Sequence, residues 1–166
     1  SETELHFDRV PLESYRVLIL NTHPEYWSPE MYRRVKQWVH HDGGRLMYLA
    51  GCGMYAEVEF PDEQTILCRR EGEHTLRGES EANLLGLAYT HSGFQSGAPY
   101  RVLQADHPIF ADTGLGPGDL FGHRSLHERC PGGASGHELD KIGPDSPANI
   151  QHLAKGTNPD DSGADL

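Results

Sequence analysis

The chain lacks the features that define several large classes of protein. No apolar run approaches the roughly 20 residues that a membrane-spanning helix requires, and the N-terminal residues have neither the basic start nor the apolar centre of a signal peptide. Its three cysteines, Cys52, Cys68 and Cys130, are too few and too widely spaced for a disulfide framework or a CxxC metal knuckle. These absences predict a soluble protein of a reducing compartment, the cytoplasm.

Positive charge is also scarce. Fourteen basic residues against 25 acidic residues give a net charge of −11. A nucleic-acid backbone or an anionic membrane surface would be repelled, so we expect neither as a partner and expect a small neutral ligand instead. A length of 166 residues predicts a single domain, residues 1–166. Because the chain opens without methionine and closes on a polar segment, we expect a fragment of a longer chain.

The first third of the sequence predicts a strand, a helix and a second strand. Residues 15–21, YRVLILN, form a continuous apolar run that is typical of a strand covered on both faces. Ser28 is a suitable N-cap, Pro29 suits the first helical position, and a glycine pair ends the helix. The apolar stripe of this helix consists of Met31, Val35, Trp38 and Val39. The second strand is RLMYLAG, residues 45–51, and the resulting βαβ unit predicts parallel strands.

The rest of the sequence is dominated by turns. Glycine (19 residues) and proline (11 residues) are concentrated after about residue 90. Short strands are predicted at QTILCRR, NLLGLAYT and YRVLQA, and one more near Glu138. The expected fold class is therefore α/β, with a parallel sheet and a β-rich, loop-rich second half.

Two loops are expected to form a site. In an open parallel sheet, the loops at the carboxyl ends of the strands line the ligand crevice. The first predicted strand leads into THPEYW and the second into GCGMY. Candidate site residues are therefore His23, Glu25, Tyr26 and Cys52, which the topology brings to one edge.

Cys52 has two interpretations. Its position between two glycines at the end of a strand resembles a nucleophile elbow, in which a histidine such as His23 or His137 would act as base. Ala50 stands where that motif usually has another glycine. The alternative is a small, inert residue that closes the end of a core strand.

A metal site is the other candidate. The segment HELDK has Lys141 where a HExxH zinc motif requires histidine, which excludes that motif. Glu25, Tyr26 and a later carboxylate would instead supply the oxygen ligands that suit iron. The alternative for HPEYW is a capping loop whose aromatic residues pack on the sheet. The glycines of TGLGPG neither follow a strand nor open a helix, so they do not predict a nucleotide site.

The segments HPEYWS, GGRLMYL, NLLGLAYTHSGF, TGLGPGDLFG and SGHELD carry a specific resemblance. Through them the chain is similar to the C-terminal region of the large subunit of N,N-dimethylformamidase and its relatives. The resemblance implies a flavodoxin-like fold of the class I glutamine amidotransferase type. It also implies hydrolysis of a small amide at a mononuclear iron site formed by two tyrosines and a glutamate.

Transferred to this sequence, the resemblance assigns one iron-binding tyrosine to Tyr26, and it implies that the other lies upstream of residue 1. The glutamate ligand has four candidates, Glu71, Glu73, Glu81 and Glu138, of which we favour Glu73 and Glu138. In the implied mechanism the metal polarises the amide carbonyl and activates water, while His23 or Glu25 transfers the proton.

The sequence departs from the family at two places. Related chains commonly have asparagine where this one has Cys52, and CRREGEHTLRGESEA replaces an acidic, aromatic-rich segment. Two alternatives to a metal-dependent amidase therefore stay open, a cysteine-dependent hydrolase and a noncatalytic binding module of the same fold. The expected partners are a small neutral amide, the remainder of a longer chain and a second copy of the protein.

Overall fold

The computed structural model describes residues 1–71, 78–125, 128 and 130–166. They form two compact units, Ser1–Leu85 and Gly86–Leu166, which are described separately below. Among the described residues, no helix combines the length and the apolar character needed to cross a membrane.

The part of the first unit that the structure describes contains three α-helices, one 3-10 turn and five strands. In chain order they are α1 (Glu2–His6), a 3-10 turn (Leu12–Ser14), β1 (Val17–Thr22), β2 (Tyr26–Trp27), α2 (Pro29–His40), β3 (Arg45–Ala50), β4 (Ala56–Asp62), β5 (Thr65–Glu71) and α3 (Ala82–Leu85). Strand β1 pairs in parallel with β3, from Val17 opposite Arg45 to Thr22 opposite Ala50. Strand β2 pairs in parallel with β4, which pairs antiparallel with β5. The predicted strand–helix–strand segment is confirmed.

Helix α2 begins and ends where the sequence predicts. The Ser28 side chain accepts a hydrogen bond from the Met31 backbone N–H at 3.2 Å, which satisfies one of the first-turn donors that has no partner within the helix. Gly43 follows the helix with a φ of +77°, a conformation that costs glycine little. Besides the predicted stripe, the helix buries Tyr32, which the apolar pattern missed. The core around it consists of Trp27, Met31, Tyr32, Val35, Met54, Val58, Phe60 and Leu84.

The phenol of Tyr32 should make stability depend on alkaline pH. Burial, together with the carboxylates Glu79 and Glu81, raises the pKa of Tyr32 from 10 to about 12. Between those pH values the unfolded chain ionises first, so the free energy of unfolding should fall as pH rises from 10 to 12. Since one pKa unit corresponds to about 1.4 kcal/mol, the loss attributable to Tyr32 is on the order of 2 kcal/mol.

Urea unfolding at several pH values checks this prediction. Tyr32→Phe removes the 2.8 Å hydrogen bond to the Ser80 carbonyl and should cost about 1 kcal/mol at neutral pH. The same variant should lose less stability than the wild type between pH 10 and 12. If the free energy of unfolding fell equally with pH in the two proteins over that interval, the raised pKa of Tyr32 would be contradicted.

The second unit consists of short antiparallel strands. In chain order its elements are β6 (Ala88–Thr90), β7 (Gly97–Ala98), β8 (Tyr100–Val102), a 3-10 turn (Pro108–Phe110), β9 (Leu120–Phe121), β10 (Ser135–Gly136), β11 (Leu139–Lys141), β12 (Ala154–Gly156) and a 3-10 turn (Pro159–Asp161). Strand β6 pairs with β11, β7 with β10, and β8 with both β9 and β12. The apolar core of this unit contains Val102, Phe110 and Ala154.

A buried polar network supplements this small core. The Ser135 hydroxyl donates to the side-chain oxygen of Asn158 at 2.7 Å and accepts from the Ala164 backbone N–H at 3.0 Å. The Asn158 amide donates to the Ser96 hydroxyl at 2.7 Å. Because each bond joins segments that are distant in sequence, the network fixes the path of the C-terminal residues.

The predicted flavodoxin-like, glutamine amidotransferase-like parallel sheet is wrong. The described strands form five small sheets, in which parallel pairing is limited to β1 with β3 and to the two-residue contact of β2 with β4. The expectation that the first strand is covered on both faces is also wrong. The outward residues of β1 and β3 are 42% to 59% exposed: Val17, Ile19, Met47 and Leu49. The segment NLLGLAYT forms α3 and then β6, where a single strand was predicted.

Candidate functional site

Backbone hydrogen bonds join the two loops that the topology predicts to meet. The Pro24 carbonyl accepts from the Met54 N–H at 2.7 Å, and the Glu25 carbonyl accepts from the Ala56 N–H at 2.9 Å. The next residue, Tyr26, lies opposite Ala56 in the β2–β4 ladder. The loop that leaves β1 is therefore fixed to the segment that leaves β3.

His23 and Glu25 form a pair within the first of these loops. The His23 Nδ1 atom lies 3.0 Å from Oε1 of Glu25. The imidazole is 63% exposed, whereas the carboxylate is 20% exposed. A carboxylate in this position fixes the orientation and tautomer of the ring, so that Nε2 is the nitrogen that can exchange a proton with another molecule.

A cavity of about 700 Å³ adjoins the pair within the first unit. Its apolar wall includes Leu18, Leu20, Trp27, Met31, Val58 and Phe60. His23 and Tyr26 also line it, and the Tyr26 side chain is half exposed. The arrangement therefore places an imidazole–carboxylate pair and a phenol at the surface of an apolar cavity, the usual composition of a small-molecule site.

Cys52 lies in the turn after β3 and is 5% exposed. Its φ of +57° falls in the left-handed region, which is uncommon for residues other than glycine and asparagine. The Gly53 N–H donates to the Tyr48 hydroxyl at 2.7 Å, which holds the turn against β3. Buried thiols are generally inert, so the geometry favours a structural role, and nucleophilic Cys52 stays a prediction.

The glutamates proposed from the resemblance are placed as follows. Glu138 lies in the second unit, half-buried between β10 and β11. Glu73 is outside the described residues, Glu71 is the last residue of β5, and Glu81 is buried immediately before α3. Their role as metal ligands stays a prediction.

Sequence reasoning missed one contact in the second unit. The Cys130 sulfur lies 3.8 Å from Nδ1 of His137, so His137, a candidate base for Cys52 from the sequence, contacts a different thiol. Cys130 is buried and His137 has a φ of +67°. The sequence signal was their separation of seven residues across a glycine-rich turn, which brings such residues together.

Comparison with known protein families assigns the chain to one of them. The family described as N,N-dimethylformamidase beta subunit-like, C-terminal, matches residues 1–165. The chain therefore belongs to this family, as the sequence resemblance predicted. No curated protein matches it.

Proposed function

We propose that the chain carries the hydrolytic site of an amidase that cleaves the C–N bond of a small neutral amide. Family membership supports this class of reaction. The observation that carries the proposal is the 3.0 Å contact between His23 and Glu25 at the edge of an apolar cavity.

Amide hydrolysis requires a base for the attacking water and an acid for the leaving amine. His23 can supply both, because Nε2 can take the proton from water and later return it to the amine nitrogen. Glu25 accepts the hydrogen bond from Nδ1–H and stabilises the imidazolium that forms between these steps. The carbonyl C–N bond and one O–H bond of water break, while a C–O bond and an N–H bond on the leaving amine form.

Iron would complete this site. The phenol of Tyr26 is a hard oxygen donor of the kind that suits an iron cation. Tyr26 would hold the ion, and the exposed half of its ring is compatible with that role. When bound, iron supplies Lewis acidity that polarises a carbonyl and lowers the pKa of water. The proton transfers remain with His23 and Glu25.

Tyr26→Phe tests the proposal. After incubation with iron and desalting, we expect the variant to retain less metal than the wild type by elemental analysis. Its hydrolysis of N,N-dimethylformamide should be about 100-fold slower, the size of effect expected when one catalytic electrostatic contact is lost. Stability should change little because the ring is half exposed.

Tyr15→Phe is the matched control, since Tyr15 is similarly exposed and does not line the cavity. It should bind iron and hydrolyse the amide as the wild type does. Equal metal content and turnover in wild type and Tyr26→Phe would refute the assignment of Tyr26.

A further inference from the structure

We propose that the cavity beside His23 binds the apolar substituent of the amide, so that the substrates are neutral amides with a bulky hydrocarbon group. That the bound amides are substrates rests on the proposed function. Binding of these amides in the cavity does not depend on turnover.

The buried side chains that line the cavity are apolar. Trp27, Met31, Val58 and Phe60 line it and are each less than a tenth exposed. These side chains also belong to the core cluster of the unit, so their positions are fixed by packing. A ligand group that enters here exchanges water for a rigid apolar surface, which favours hydrocarbon and penalises any charge.

Polar side chains line the cavity near the carboxyl end of β1. The apolar residues Leu18 and Leu20 lie within β1, whereas Asn21 is near its carboxyl end and His23 follows it. Along β1 the lining therefore changes from apolar to polar where the strand ends, at the proton-transfer pair. A bound amide would place its carbonyl and nitrogen at this end and its hydrocarbon group against the buried wall.

The volume of the cavity and the charge of the protein narrow the class of ligand further. A volume of about 700 Å³ lies within the range of about 300–1,000 Å³ that is typical of sites for drug-sized ligands. An amide with only methyl substituents would leave most of this space without van der Waals partners. The chain carries a net charge of −11, so an anionic ligand is disfavoured.

The chain contains its own reporter of occupancy. Cys68 lines the cavity and is exposed, whereas Cys52 and Cys130 are buried. Monobromobimane should therefore alkylate Cys68 first. A ligand that fills the cavity covers this thiol, and for simple protection the rate of alkylation falls by the factor 1 + [L]/Kd.

The test measures this rate with three probes, N-cyclohexylformamide, N,N-dimethylformamide and 4-formamidobenzoate. At a concentration about ten times its Kd, N-cyclohexylformamide should slow alkylation about tenfold. At equal concentration, N,N-dimethylformamide and 4-formamidobenzoate should slow alkylation much less. N,N-dimethylformamide lacks a bulky group, and 4-formamidobenzoate is anionic. Equal protection by all three, or protection by none, would overturn the inference.

A variant at the mouth gives a second measurement. Ile66 lines the cavity and is 55% exposed, so Ile66→Trp should occupy the opening without disturbing the core. We expect it to weaken binding of N-cyclohexylformamide at least about tenfold, a loss of about 1.4 kcal/mol. The control is Ile109→Trp, at an exposed position of the second unit, which should bind as the wild type does. Equally weakened binding of N-cyclohexylformamide in both variants would contradict the cavity as its binding site.

The outcomes separate the two proposals. Protection of Cys68 by N-cyclohexylformamide with no hydrolysis of any formamide would refute the proposed function and leave the binding site intact. Hydrolysis of N,N-dimethylformamide without protection by N-cyclohexylformamide would refute the binding site and leave the function intact. The protection measurement uses the wild-type chain, so it stands even if Ile66→Trp does not fold.

Discussion

Replacing His23 by glutamine is expected to lower kcat for amide hydrolysis by about 100- to 10,000-fold, the contribution typical of general acid–base catalysis. Glutamine can still donate a hydrogen bond to Glu25, but it can neither take nor return a proton. Because the imidazole is 63% exposed, the midpoint of thermal unfolding should change little. Steady-state kinetics and a thermal melt on the same preparation measure both effects.

His41→Gln is the matched control, since this exposed histidine follows α2 and does not line the cavity. It should retain wild-type activity. Glu25→Gln adds a second comparison, because it keeps a hydrogen-bonding group beside the ring but removes the charge that stabilises the imidazolium. We expect an intermediate loss of kcat and an altered pH profile. Wild-type kcat in His23→Gln would eliminate the proton-transfer pair.

The largest effect on stability is expected for Gly163→Ala. A Cβ atom built at Gly163 would lie 1.9 Å from the carbonyl oxygen of Gly156 in β12. The obstructing atom belongs to the backbone, which a hydrogen bond of 2.8 Å between the Gly156 N–H and the Ala164 carbonyl also holds in place. Neither side can yield without breaking this contact, so we expect a loss of about 3 kcal/mol, at the upper end for overpacking.

Urea unfolding of Gly163→Ala beside Gly143→Ala checks this expectation. A Cβ atom at Gly143 would meet nothing within 4 Å, so that variant reports the general effect of replacing glycine. It should change the free energy of unfolding by no more than about 0.5 kcal/mol. Two variants of equal stability would show that the C-terminal segment is not packed against β12 as described.

Local signals account for the parts of the fold that the sequence predicts. The Ser28–Pro29 start, the apolar stripe of α2 and the glycine after it are all encoded within 16 residues, and each has a direct structural counterpart. The same segment correctly places β1 and β3 in parallel, because a short helical crossover permits few alternatives. The position of the His23–Glu25 loop at the end of β1 follows from this topology.

The fold class could not be predicted from such local signals. Strand β6 pairs with β11, so Tyr89 lies opposite Asp140 although about fifty residues separate them in the chain. Strands of two or three residues show no measurable alternation, and their pairing is decided by tertiary contacts. The cavity was missed for a related reason, since its walls come from Leu18, Val58 and other residues that are distant in sequence.

The joint between the two loops has a consequence for sequence variation. It uses main-chain atoms of Pro24, Glu25, Met54 and Ala56, so the side chains around it can differ between proteins while the loops stay together. Position 52 itself, with a φ of +57°, suits asparagine better than most residues. A chain could thus exchange the residue in this turn and keep the carboxylate at position 25 where it is.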